Sequence, residues 1–176
     1  MGAPFSLMKT TSILVLALCA ATVSSFCADT NSGPAAGSYQ IRNRKYDALL
    51  RPENASNANG ARIVLYPAEP WKCMTWKLQP AAGSAFHLQN YFTSKTFAVK
   101  SDDLQMAVVQ VPFDRDTAKR PAWTITKLTD GFYRITDVKT GQALTGSKTA
   151  VTLAPWQEKP EQQWELMEID PAKLTM

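Results

Sequence analysis

The stretch Gly37-Ser38-Tyr39-Gln40-Ile41-Arg42-Asn43 recurs twice in altered form. It reappears as Ser84-Ala85-Phe86-His87-Leu88-Gln89-Asn90 and as Asp130-Gly131-Phe132-Tyr133-Arg134-Ile135-Thr136-Asp137. Its aromatic residues Tyr39, Phe86 and Tyr133 lie 47 residues apart each time. In every copy an aliphatic residue follows the aromatic one after a single polar position, and alternate side chains of a β-strand share a face. The pattern therefore predicts one strand with an apolar face in each of three repeats.

Three further short strands follow in each copy. The second carries Leu50, Phe97 or Leu144, behind a turn-forming segment such as Lys139-Thr140-Gly141. The third strands are Ile63-Val64-Leu65, Val109-Gln110-Val111 and Val151-Thr152-Leu153. The fourth strands are Trp76-Lys77-Leu78, Trp123-Thr124-Ile125 and Trp164-Glu165-Leu166. The count is twelve strands in three sets of four.

These strands predict an all-β fold. No segment after the apolar N-terminal run shows a sustained apolar period of 3.6 residues, the period of a helix. A four-stranded unit cannot bury its apolar face alone, so three units must share one core. We therefore expect a β-trefoil over residues 38–170, with repeats at approximately 38–83, 84–129 and 130–170 and a tail at 171–176. Its core is expected to contain Leu50, Phe97, Leu144, Trp76, Trp123 and Trp164.

Residues 1–28 have the features of a secretory signal peptide and its cleavage region. Lys9 is their only charged residue, an apolar run covers residues 12–23, and Ser24-Ser25 follows. The run is shorter than the roughly 20 residues that cross a bilayer, so no stable membrane insertion is expected. Cleavage is expected after Ser25 or Ala28. Residues 29–37 then form a flexible leader on a secreted protein, extracellular or periplasmic.

Oxidising conditions after export favour a disulfide between Cys27 and Cys73. Cleavage after Ser25 would leave both of these cysteines in the mature chain. Cleavage after Ala28 would instead remove Cys27. The disulfide prediction therefore depends on the cleavage site.

The composition argues against several functional classes. The chain has 19 Lys and Arg residues and 15 Asp and Glu residues, and its basic residues are scattered, unlike those of a nucleic-acid binder. The single histidine, His87, excludes a zinc site built on several histidines and is expected to face solvent. Acidic pairs at Asp102-Asp103 and Asp114-Arg115-Asp116 fall in expected loops. We expect no enzymatic activity, no metal site and no cofactor.

The repeat resembles that of the ricin-B-like lectin family, whose repeats end in a Gln-x-Trp element. Gln162-Gln163-Trp164 matches the element fully, whereas Met74 and Pro121 take the glutamine position before the other two tryptophans. The resemblance covers residues 39–169. It implies a β-trefoil that binds carbohydrate.

The resemblance does not carry over the specificity for galactose. Galactose-binding members place an aspartate at the position held here by Arg51, Ala98 and Thr145. The stacking aromatic of the third strand is matched only by Tyr66, since Ala154 replaces it in the third copy. The family also has a polar residue near the tryptophan that serves the sugar site. Cys73 takes this position in the first copy, and Glu161 takes it in the third.

A sugar presents an apolar face that stacks on aromatic rings, and its hydroxyls need fixed polar partners. The candidate carbohydrate-binding residues are Arg51, Asn59, Tyr66 and Trp71 in the first copy, and Thr145, Trp156, Gln157, Glu161 and Gln162 in the third. Arg51 could also pair with the carboxylate of an acidic sugar. The alternative interpretation is that Tyr66 and Trp156 cover the barrel wall and that Gln162 hydrogen-bonds the backbone of its own turn.

Two other functions remain open besides glycan or polysaccharide binding. A β-trefoil protease inhibitor inserts an exposed loop into an enzyme, and Lys119-Arg120-Pro121 would be that loop here. A toxin or adhesin subunit would instead dock a protein partner. A glycan panel run beside a protease panel separates these alternatives.

Overall fold

The computed structural model describes residues 1–2, 33–100 and 105–176. Residues 3–28 of the expected signal peptide and residues 29–32 of the leader lie outside these ranges, as do Asp102 and Asp103; Cys27 is among the residues not described. The described residues form twelve strands: β1 Gly37–Asn43, β2 Ala48–Pro52, β3 Ile63–Tyr66, β4 Thr75–Pro80, β5 Ala85–Asn90, β6 Thr96–Val99, β7 Val108–Val111, β8 Trp123–Lys127, β9 Tyr133–Asp137, β10 Ala143–Gly146, β11 Val151–Ala154 and β12 Gln163–Glu168. Single 3-10 turns occur at Glu53–Ala55, Lys72–Met74, Thr117–Lys119, Pro160–Gln162 and Pro171–Lys173.

Six of the strands close into a barrel. Antiparallel pairing runs from β1 to β4, β5, β8, β9 and β12, and β12 returns to pair with β1. The other six strands form three hairpins, β2–β3, β6–β7 and β10–β11. A closed barrel with three hairpins, one from each set of four strands, is the β-trefoil, so the predicted fold class is confirmed.

The three copies share one hydrophobic core. Its centre contains the six residues expected from the repeat, all of them 0% exposed: Leu50, Phe97, Leu144, Trp76, Trp123 and Trp164. The centroid of the Phe97 ring lies 4.9 Å from that of Trp76, which it meets edge-on, and 4.8 Å from that of Trp123. Aromatic pairs favour such tilted and edge-to-face contacts over flat stacking.

The turn after the first strand of each copy is held by the side chain that ends the strand. Asn43 Oδ1 accepts hydrogen bonds from the Lys45 and Tyr46 amides, and Asn90 Oδ1 accepts from Phe92 and Thr93. The side-chain Nδ2 of Asn90 also donates to the Cys73 carbonyl at 2.9 Å. This bond docks the turn of the second copy, including Phe92, against the first copy.

The expectation for His87 was wrong. Its side chain does lie on the outer face of β5, but it is only 6% exposed. The connection between β7 and β8 covers it: Nδ1 donates to the Pro121 carbonyl at 2.9 Å, and the ring meets Phe113 edge-on. Strand alternation identified the outer face, but it could not show that a loop covers that face.

Candidate functional site

A cavity of about 420 Å³ opens beside the hairpin of the first copy. We call it the Arg51 cavity. It is lined by Arg51, Asn54, Ala55, Tyr66, Trp71, Cys73, Phe92 and Met176. Strand pairing places Leu49 opposite Tyr66, so Arg51, two residues after Leu49, lies on the same hairpin face as Tyr66. Such diagonal neighbours are within reach of long and aromatic side chains.

The Arg51 guanidinium stacks on the Tyr66 ring. Its central carbon lies 3.6 Å from the Tyr66 ring centroid and 5.9 Å from that of Trp71. The two rings are themselves 5.9 Å apart and tilted by 33°. Because the guanidinium covers one face of Tyr66, that face is not free to stack on a sugar.

The charge of Arg51 has no counter-charge among the described residues. The side chain is buried, with 8% exposure, and its Nε–H has no hydrogen-bond partner within the described ranges. No carboxylate in residues 33–100 or 105–176 forms an ion pair with it. The Cys73 thiol is near, and burial raises the pKa of this thiol although the guanidinium acts in the opposite direction. A neutral thiol leaves the positive charge uncompensated.

Exposed aromatic surface surrounds this charge. Tyr66 is 37% exposed and Phe92 is 40% exposed, while Trp71 is half-buried between them and the protein interior. Thr175 runs alongside Trp71, with its amide donating to the Pro70 carbonyl at 2.8 Å, and this contact brings Met176 to the cavity wall. The site therefore combines apolar walls with the buried cation of Arg51.

Sequence reasoning identified part of this site. Arg51, Tyr66 and Trp71 come together as proposed, but Asn59 is exposed in the β2–β3 connection and does not line the cavity. Asn54 lines the cavity instead. Phe92 was missed because it belongs to the second copy and reaches the first only through the docked turn.

In the third copy, the predicted polar residues hold a loop together. Gln162 is buried, and its Oε1 accepts from the Gln157 amide at 2.7 Å. Its Nε2 donates to the Pro155 carbonyl at 2.8 Å and to Thr145 Oγ1 at 3.2 Å. These bonds use the groups that a sugar would need, and they match the alternative interpretation in which Gln162 bonds its own turn.

Glu161 and Trp156 lie apart from this loop network. Glu161 pairs with Lys45, and this hydrogen bond lowers the pKa of the Glu161 carboxyl. Trp156 lines a second cavity of about 500 Å³ together with Arg134, whose guanidinium carbon lies 5.4 Å from the indole. Thr145, Gln157, Glu161 and Gln162 do not line that cavity. The structure thus divides the third-copy candidates among three environments.

The described carboxylates of the acidic loop serve local structure. Asp114 Oδ1 accepts from the Asp116 amide at 2.8 Å, and Asp116 Oδ1 caps the turn at Thr117–Lys119 by accepting from Ala118. Among the described residues, no group of three metal-ligating side chains is found. Over the same ranges, no helix is long and apolar enough to span a membrane. Cys73 is buried, and its predicted disulfide partner Cys27 lies outside the described residues.

No protein-family model and no curated protein sequence matches the chain. Solved structures do match. The designed 3-fold symmetric protein ThreeFoil aligns with a TM-score of 0.68 and 23% identity, covering 76% of this chain and 99% of that one. The Rhizoctonia solani agglutinin aligns with a TM-score of 0.66 and 18% identity, covering 77% and 97%.

A ricin B-like lectin of Macrolepiota procera, solved in complex with lactose, aligns with a TM-score of 0.63 and 19% identity. The alignment covers 77% of this chain and 98% of the lectin. The structural alignments establish the fold, but sequence identities this low do not identify the ligand. The chain has the β-trefoil fold and resembles ricin-B-like lectins in three-dimensional structure as well as in its repeats.

Proposed function

We propose that this chain is a secreted, lectin-like carbohydrate-binding protein without catalytic activity, and that it binds through the Arg51 cavity. The observation that carries the proposal is the grouping of Tyr66, Trp71 and Phe92 around a buried guanidinium that pairs with no carboxylate of the described residues, on a lectin-type fold. Export is supported by the apolar N-terminal segment, and the Cys27–Cys73 disulfide remains a prediction.

The absence of catalysis is supported by the state of the groups that a hydrolase would use. His87, the sole histidine, is covered and hydrogen-bonded to a carbonyl. Asp114 and Asp116 bond to the backbone of their own loop.

The protease-inhibitor alternative is disfavoured by the position of Arg120. Its Nε donates to the Asp114 carbonyl at 2.6 Å, and its guanidinium carbon lies 4.2 Å from the Phe113 ring centroid. A side chain tied into its own loop is poorly placed to enter a protease cleft. The other alternative is a toxin or adhesin subunit that docks a protein partner. The binding test below would favour it if no glycan binds.

Glycan-array screening followed by calorimetry tests the proposal. We expect modest affinity, with a Kd of about 0.1–1 mM, because a shallow site buries little ligand surface. Trp71→Ala and Tyr66→Ala should weaken binding, whereas Trp156→Ala, a matched loss of an aromatic ring at the other cavity, should not. If the Trp156 variant alone loses binding, the site is wrong. If no glycan or polysaccharide binds the wild-type protein, the lectin function is wrong.

A further inference from the structure

We infer that the Arg51 cavity selects a sugar that carries a carboxylate, and that the Arg51 guanidinium binds this carboxylate. The inference rests on the proposed function and names the class of sugar. It starts from the charge balance of the cavity. In the part of the chain that the structure describes, Arg51 is the only Lys, Arg, Asp or Glu side chain that lines it. A buried charge without a partner is costly, and a ligand carboxylate would remove that cost whereas a neutral sugar would not.

The contact with Tyr66 does not occupy the N–H groups of the Arg51 guanidinium. The Tyr66 ring covers a flat face of the group, and the N–H bonds of a guanidinium point outward in its plane. Stacking on an aromatic ring is therefore compatible with two parallel hydrogen bonds to a carboxylate. Within the described residues the buried Nε–H has no partner, the Cys73 thiol that hydrogen-bonds the guanidinium is neutral, and no carboxylate forms an ion pair with the group.

The remaining walls suit the ring of a sugar. Trp71 and Phe92 present apolar surface at the mouth of the cavity, and a pyranose packs its C–H face on such rings. The volume of about 420 Å³ lies within the range of small-molecule sites, about 300–1,000 Å³. In this arrangement the carboxylate of the sugar lies against Arg51, and the sugar ring lies against Trp71 and Phe92.

Three related sugars test the inference by calorimetry: methyl galacturonide, its methyl ester and methyl galactoside. The ester differs from the acid by one added methyl group and carries no charge. We expect the acid to bind about tenfold or more tightly than either neutral sugar, because hydrogen bonds to charged groups are the strong ones. Its advantage should shrink as salt concentration rises, because salt screens charge pairs.

Arg51→Gln should abolish this preference. Arg134→Gln is the matched control: Arg134 also stacks beside a tryptophan and also has an unpaired, buried Nε, but it lines the other cavity. Circular dichroism establishes whether each variant is folded. Should Arg51→Gln fail to fold, the Nε–H resonance of Arg51 in the wild-type protein provides a second measurement. It should shift on titration with the acid and stay in place with the ester.

The outcomes separate the two claims. Equal binding of the acid and the neutral sugars overturns the inference and leaves the proposed function standing. Preference for the acid that persists in Arg51→Gln, or that disappears in Arg134→Gln, also overturns the inference. Absence of binding by all sugars on the array refutes the proposed function together with the inference.

Discussion

The three core tryptophans occupy equivalent positions but differ in one hydrogen bond. The Trp76 indole Nε1–H donates to the Leu50 carbonyl, and that of Trp164 donates to the Leu144 carbonyl, both at 3.0 Å. The Trp123 Nε1–H is buried and has no partner in the described part of the chain. Replacing each tryptophan in turn by phenylalanine therefore measures how much this hydrogen bond contributes to the free energy of unfolding.

Trp76→Phe removes a buried hydrogen bond, which costs about 0.5–1.5 kcal/mol net and more when the acceptor remains unsatisfied. Trp123→Phe removes an unsatisfied donor, whose burial itself costs about 1–3 kcal/mol. All three indoles are fully buried, so the cost of the lost ring atoms should be similar. Trp123→Phe should thus be less destabilising than Trp76→Phe by about 2 kcal/mol.

Urea unfolding followed by circular dichroism gives the free energies, provided that the three variants share one m value. The difference corresponds to roughly 5–10 °C in Tm for a domain of this size. Trp164→Phe is the internal control and should match Trp76→Phe. The reasoning is refuted if Trp123→Phe costs as much as Trp76→Phe, or if Trp164→Phe behaves like Trp123→Phe.

Further predictions concern packing, the third-copy loop and the buried thiol. Phe97→Ala should cost about 3–5 kcal/mol in urea unfolding, because Phe97 lies between two tryptophans; a cost below 1 kcal/mol would contradict the shared core. Gln162→Ala should cost about 1–3 kcal/mol and leave sugar affinity unchanged, because its side-chain hydrogen bonds are all internal; lost affinity would place the site in the third copy. In the reduced, folded protein, Cys73 should react with iodoacetamide at least about tenfold more slowly than in urea, because burial raises the thiol pKa and the thiolate is the nucleophile; equal rates, measured by peptide mass spectrometry, would contradict this.

The repeat by itself determined the fold. Apolar residues recurred at matched positions in three copies, and burial of those positions requires a shared centre, which the six fully buried residues at the core provide. Strand identity also followed from the sequence, because the period of two distinguishes a half-buried strand from a helix. The aspartate position of galactose binders, held here by Arg51, could likewise be read from the register of the hairpin.

Only the tertiary structure decided which of the candidate residues form a site. Phe92 reaches the Arg51 cavity from another copy, and Gln162 turns its amide into its own loop. The Phe92 contact has no local sequence signal, because it depends on how the connections of two copies pack together. The Gln162 bonds are local, and the sequence left them as one of two alternatives. Alternation along β5 placed His87 outside the barrel, and the covering loop then buried it. Periodicity reports the face on which a side chain lies, whereas its exposure and partners depend on segments that are distant in the chain.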